Sequence, residues 1–202
     1  QQISFVDVKK PYFNATLDPG GKPVFVDLPP EDADYVTICA QLLRHMYGTR
    51  GAADGWQEEY SSLMVELGFR QGESCPNVFH HPEKCIVCSV HGDDFTSSGP
   101  KTSLDWLETA IAQEYEISIG PRLGPGPGDA KEGRALNRVI RWCESHIEYE
   151  ADPRQAERLI AECGLECPGV KAGATPGVKD TFAEYESDEE LPSRLHTAFR
   201  GS

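Results

Sequence analysis

The sequence predicts an α+β fold, an antiparallel sheet carrying helices on one face. Three observations predict it. Strand-like and helix-like runs follow one another without the strict alternation of a parallel sheet. The segment from Trp56 to Leu67 places Trp56, Tyr60, Leu63, Met64 and Leu67 on a single helical stripe. The stretch VHGDDF, Val90 to Phe95, sets two adjacent acids between two short apolar runs, which reads as strand, tight turn, strand.

The elements follow in order. Ile3 to Val8 is a short apolar run with Asp7 near its end, a buried strand. Pro19 to Pro30, rich in Gly and Pro, encloses Val24-Phe25-Val26 and predicts loop, short strand, loop. Glu31, Asp32 and Asp34 suit a helix N-terminus, and Val36, Cys39, Ala40 and Leu43 follow at helical spacing until Gly48. Gly68 closes the helix that begins near Trp56. A hairpin comes next, from Asn77-Val78-Phe79 through a turn at His80 to Lys84 into the strand Cys85 to Val90. After Gly99, Ser103 is placed to cap a helix with Leu104, Leu107, Ile111 and Tyr115 on one face, and Ile117 to Ile119 is a short strand. Residues 120–133 have no pattern of their own and read as a flexible connection. Leu136 to Trp142 and His146 to Tyr149 are strand candidates, and Asp152-Pro153 opens a helix bearing Ala156, Leu159, Ile160 and Cys163 on one face. Residues 166–202 are acidic and irregular. The order is compatible with a ferredoxin-like split unit, in which Asp7 lies at a strand end beside the Gly92-Asp93-Asp94 turn.

Composition narrows the classes. The 202 residues suffice for one domain or slightly more, and 39% are hydrophobic, concentrated in periodic blocks over the first 120 residues. No run of 18 apolar residues is present, which excludes a membrane-spanning helix of ordinary length. Seven scattered Cys with no framework spacing, and no signal-peptide pattern, predict a reducing, intracellular setting rather than secretion. A formal net charge of −14 argues against tight, free-standing binding of nucleic acid over a long footprint. The chain enters directly into a strand at Gln1 without a Met, which predicts a piece of a longer chain.

Asp93 and Asp94 side by side cost electrostatic energy, and a divalent cation offsets it. With Asp7 beside them, three carboxylates offer hard oxygen ligands of the kind Mg²⁺ takes while it keeps waters and substrate phosphates. Two such ions, Mg²⁺ or Mn²⁺, about 3.5–4 Å apart, fit an in-line phosphoryl displacement. Nucleotidyl transfer is the chemistry that suits this arrangement. A solvated acidic turn is the plain alternative.

Four blocks then give a resemblance. Phe5-Val6-Asp7-Val8-Lys9-Lys10-Pro11-Tyr12-Phe13 resembles FVDVKxAF, Met46 to Trp56 resembles LYGLKQAPRxW, Val90 to Phe95 resembles the YVDD box, and Leu136 to Ile140 stands where FLGIEI is expected. Ile147 to Leu165 is similar to the helix-bearing segment that follows, and Thr175-Pro176-Gly177 to a Thr-Pro step. In this order and at these separations they resemble the reverse transcriptase domain of copia-type LTR retrotransposons. The chain departs from the pattern at Gly51, where the family has Gln, at Ala53, where it has Pro, and at His91-Gly92, where it has Tyr-Val.

The resemblance implies a polymerase palm, a ferredoxin-like or RRM-like antiparallel sheet with helices on one face, incomplete fingers and no complete thumb. It implies a palm core over 1–120, a flexible Gly/Pro linker over 121–133, a strand pair plus helix over 134–165, and a mostly irregular acidic tail over 166–202. Asp7, Asp93 and Asp94 would be the catalytic, metal-holding acids, with Val8, Tyr12, Phe13, Gly48 and Arg50 at the nucleotide. Tyr12 would lie under the incoming sugar and select deoxynucleotides. The implied partners are an RNA or DNA template–primer, dNTPs, and the remaining Pol segments, namely integrase, RNase H, fingers and thumb, without a membrane. The implied location is a cytoplasmic virus-like particle or the nucleus. The alternative is an inactive relic that keeps the fold as an interaction module. A zinc reading of His80, His81, Cys85 and Cys88 fails on strand geometry, because residues three apart on a strand point to opposite faces.

Overall fold

Gln2–Val8 forms β1, whose side chains are buried on both faces, and the main sheet is arranged about it. The computed structural model describes residues 1–18, 20–150 and 153–166. β1 ends before a 3₁₀ turn at Pro11–Phe13. The remaining elements of the first unit are β2 (Phe25–Asp27), β3 (Cys39–Gln41), α1 (Ala52–Glu66), β4 (Arg70–Gln71), β5 (Val78–His81), β6 (Ile86–His91), β7 (Asp94–Gly99), α2 (Lys101–Glu114), β8 (Ile117–Ile119), β9 (Glu132–Ala135), β10 (Arg138–Trp142) and β11 (Ile147–Glu150). Gln1–Ala151 is one compact unit; Asp152–Ser202 is the second, whose described residues hold α3 (Arg154–Glu162).

The fold is mixed α+β. Six strands make an antiparallel sheet in the order β4-β5-β6-β7-β1-β8. Alternation along each strand decides its faces. Val6, Val8, Cys88, Val90 and Phe95 point to one side, where they meet Trp56, Tyr60 and Met64 of α1 and Leu104, Leu107 and Ile111 of α2 in one core. The stripe predicted for α1 is therefore its buried face. Its end is a Schellman motif: Gly68, at φ 93°, donates to the Val65 carbonyl at 2.9 Å and Phe69 to the Met64 carbonyl at 3.0 Å. α2 begins at Lys101, behind Pro100, rather than at a Ser103 cap. Pro100, with extended backbone at ψ 147°, stands at the cap position, and its carbonyl accepts from the Leu104 N–H at 3.0 Å.

The other face of β1 is covered as well. Ile3 and Phe5 join Leu123 and Ile140 in a second core, against the three-stranded sheet β11-β10-β9. The stretch 120–133, expected to be a flexible connection, is tied down instead. Leu123 is fully buried and exchanges two backbone hydrogen bonds with Ile3, of 2.8 and 2.9 Å. Asp129 accepts from the Gln2 amide at 2.8 Å and from the Gly126 N–H at 2.8 Å, and β9 starts within the stretch, at Glu132. Gly133 lies so close to Phe5 that a Cβ there would sit 2.8 Å from the ring. The strand expected from Leu136 starts later, at Arg138. Leu136 and Asn137 have φ of 51° and 61°, the two positive values of a type I′ turn joining β9 to β10.

The helix expected from Glu31 through Leu43 does not form. The segment makes successive turns instead, Tyr35 donating to the Asp32 carbonyl and Thr37 and Ile38 to that of Asp34, and Cys39–Gln41 then pairs antiparallel with Phe25–Asp27. The apolar stripe has no surface to cover, since Val36 is 84% and Leu43 77% exposed. The β-branched run Val36-Thr37-Ile38 also favours extended backbone. In the β5–β6 hairpin His80 and His81 belong to the strand, and the turn is completed by Cys85 at φ 53°. Asp152, the tail from 167 and Thr175-Pro176-Gly177 lie outside the described residues. Among the described residues no helix is long and apolar enough to cross a membrane.

Candidate functional site

The three acids come together at one end of the main sheet. Val6 and Val8 point into the core, so Asp7 between them points away from the helices, and Phe95 makes the same choice for Asp94. The register sets Asp7 directly across from Asp94, and His91 across from Asp94 on the other side. Gly92 and Asp93 are the two turn residues between β6 and β7. Gly92 has φ of 62° and Asp93 does not have a positive φ, the pattern of a type II′ hairpin turn. Glycine in place of the bulkier residue expected there meets no steric penalty.

The turn is held from two directions. The Val8 N–H donates to the Asp93 carbonyl at 2.9 Å, and the buried Trp56 indole N–H donates to the Gly92 carbonyl at 2.7 Å. The helix stripe thus supplies a side chain that reaches under the acids. Asp94 has a pKa raised above the usual carboxylate range, first by burial, then by Asp93 and Asp7, with His91 acting in the opposite sense. Asp7 is neutralised locally by Lys9, whose ammonium donates to it at 2.5 Å, and that contact raises the Lys9 pKa.

An aromatic cluster borders the acids. Tyr12 is half-buried, and its ring centroid lies 4.5 Å from that of Tyr47, which in turn is 5.8 Å from the exposed Phe13. Burial, followed by the field of Asp93, Tyr12 and Asp7, raises the Tyr47 pKa. Gly48, at φ 85°, completes the turn in which Thr49 donates its N–H to the Met46 carbonyl at 3.1 Å. Open space surrounds it, so backbone conformation rather than crowding requires the glycine. Arg50 is exposed two residues farther on.

Lys9, Tyr47 and His91 escaped the sequence reading as site residues. Tyr47 stands inside a quoted motif next to Gly48, and that adjacency was the available signal. Lys9 and His91 become relevant only through the side chains they face.

The donor set is chemically suited to a hard cation: three carboxylates at one end of the sheet, one of them with a pKa raised by burial and then by the other two. Their ligand oxygens do not all lie within 4.8 Å of one another; among the described residues the trio that meets this distance is Cys143, His146 and Glu148. Cys88, from the cluster weighed for zinc, is buried in the core with its thiol pKa pushed up to about 12 by desolvation. Comparison with the models of known protein families and with curated proteins finds no match to this chain.

Proposed function

We propose that this chain is the palm of an RNA-directed DNA polymerase, similar to the reverse transcriptase domain of copia-type LTR retrotransposons, adding dNTPs to a primer 3′-hydroxyl. The observation that carries the reading is the register of β1 against β7, with Asp7 opposite Asp94 and Asp93 in the adjoining turn. Asp7 and Asp93 would hold two Mg²⁺ or Mn²⁺ ions, with Asp94 in support. Bound there, such ions stabilise charge on the attacking and leaving oxygens of a phosphoryl displacement.

The chain's own residues do the positioning. Trp56 and the Val8 N–H fix the turn that carries Asp93. Tyr12, braced by Tyr47, offers a ring edge against which a 2′-hydroxyl would collide, with Phe13 beside it. Gly48 lets the backbone come close to the nucleotide, and the exposed Arg50 can meet a phosphate. Lys9 screens Asp7 and releases it when a cation takes its place. The template–primer and the fingers, thumb, RNase H and integrase segments are the partners this reading requires, in a cytoplasmic particle or the nucleus.

The test has two parts. Mn²⁺ titration of the chain is expected to saturate, and Asp93→Ala to abolish saturation. Joined to fingers and thumb segments, the chain is expected to extend a primer on RNA. An intact triad that yields no extension in that setting refutes the polymerase. A second reading, an inactive relic kept as an interaction module, is favoured by the Lys9–Asp7 ion pair and the net charge of −14. It expects no saturable Mn²⁺ binding and no change on replacing Asp7.

A further inference from the structure

The tip of the β10–β11 hairpin gathers a chemically different set of ligands. Trp142 pairs with Ile147, and beyond that pair the Cys143 N–H donates to the His146 carbonyl at 3.0 Å. Cys143 and His146 therefore stand opposite each other at the end of the hairpin. Side chains two apart on a strand share a face, so Glu148 stands beside His146 on the face that carries Cys143. One ligand atom from each of the three, a sulfur, a ring nitrogen and a carboxylate oxygen, lies within 4.8 Å of the other two.

We propose that Cys143, His146 and Glu148 form a binding site for one Zn²⁺-class cation, separate from the acidic turn. A thiolate, an imidazole and a carboxylate make a borderline donor set that suits Zn²⁺, whereas Mg²⁺ takes oxygen ligands. Three protein ligands leave the fourth tetrahedral position to water. Metal–ligand bonds of about 2.0–2.3 Å require donors roughly 3.3–3.8 Å apart, so donors that lie within 4.8 Å of one another need only small side-chain adjustments to bind. His146 and Glu148 have room for this, with side chains 57% and 48% exposed. Nε2 and Oε1 already stand 3.4 Å apart, within that spacing, while Nδ1 lies 3.2 Å from the Ser145 hydroxyl, a partner that orients the ring from outside. Arg141 does not compete strongly. Its guanidinium is bonded to Glu132 at 2.9 Å and to Glu150, and Glu148 is the more distant carboxylate at 3.8 Å.

The test is a Co²⁺ titration of the whole reduced chain in excess Mg²⁺, which occupies oxygen-only sites. One equivalent of Co²⁺ is expected to give thiolate-to-cobalt charge-transfer absorption and the strong visible bands of tetrahedral cobalt, and Zn²⁺ to displace both. Cys143→Ser removes the charge-transfer band, and His146→Asn and Glu148→Gln each weaken binding by about tenfold or more. Acidification releases the metal, because protons compete for thiolate and imidazole. Absence of the band at one equivalent, or its survival in Cys143→Ser, overturns the site. Undiminished binding in His146→Asn or in Glu148→Gln overturns it as well, leaving at most a thiol adduct. Asp93→Ala leaves the cobalt band unchanged, so this result stands apart from the polymerase reading.

Discussion

At Asp94, burial and two neighbouring carboxylates act together against ionisation, and His91 offsets them only in part. The consequence for stability has a definite sign. A carboxyl whose folded pKa is raised binds its proton more tightly in the folded state. Its favourable contribution is complete below the unfolded value of about 3.9 and is lost as pH rises through the folded pKa. Above that, the ionised group opposes folding. Asp94→Asn is therefore expected to raise the melting temperature at pH 7 in EDTA, and the gain is expected to vanish on acidification below about pH 4. Melting curves of both proteins across pH test this, and a pH-independent difference would refute it. Asp93 and Asp94 were legible in the sequence because adjacent carboxylates are chemically conspicuous, and Asp7 because it stands near the end of a short apolar run. Lys9, Tyr47 and His91 were not, because their relevance depends on which side chains the register brings opposite them.

At the scale of elements, legibility followed the strength of the local pattern. α1 was readable because about three turns of stripe end at a glycine that adopts the left-handed backbone the cap requires. The stretch from Glu31 to Leu43 shows the same periodicity in miniature, but no facing surface is available to it, and the short β2–β3 pairing prevails. Leu136 is a subtler case. Its apolar character marked it as strand, yet it occupies the first central position of a type I′ turn at φ 51°. A leucine in left-handed backbone is strained, whereas Asn137 beside it tolerates that region. Leu136→Gly is expected to stabilise the protein by about 0.5–1 kcal/mol, the relief of strain less the entropy cost of glycine. Urea denaturation midpoints measure it, and a loss of stability would show that the half-exposed Leu136 side chain contributes more by packing.

At the scale of the molecule, β1 is the common wall of two cores. Leu123 is the element of this design that sequence reading could not supply, since its burial depends on Ile3 and no local pattern surrounds it. Leu123→Ala is expected to cost about 2–5 kcal/mol, as for other fully buried leucines, and to lower a single unfolding transition rather than split it. Two separate transitions would show that the second core melts alone. The shared strand also imposes an order of assembly during synthesis. β1 leaves the ribosome before either strand that flanks it, and Val8 finds its partner Ile117 only after about a hundred further residues have been added, roughly 5–20 s of translation. Until β7 is made, both edges of this apolar strand are unpaired, and the edge that β8 covers stays open until the end of the interval. The segment that carries Asp7 is thus among the first made and the last to be fully paired, and truncation anywhere before β8 would leave β1 as an open edge of the sheet.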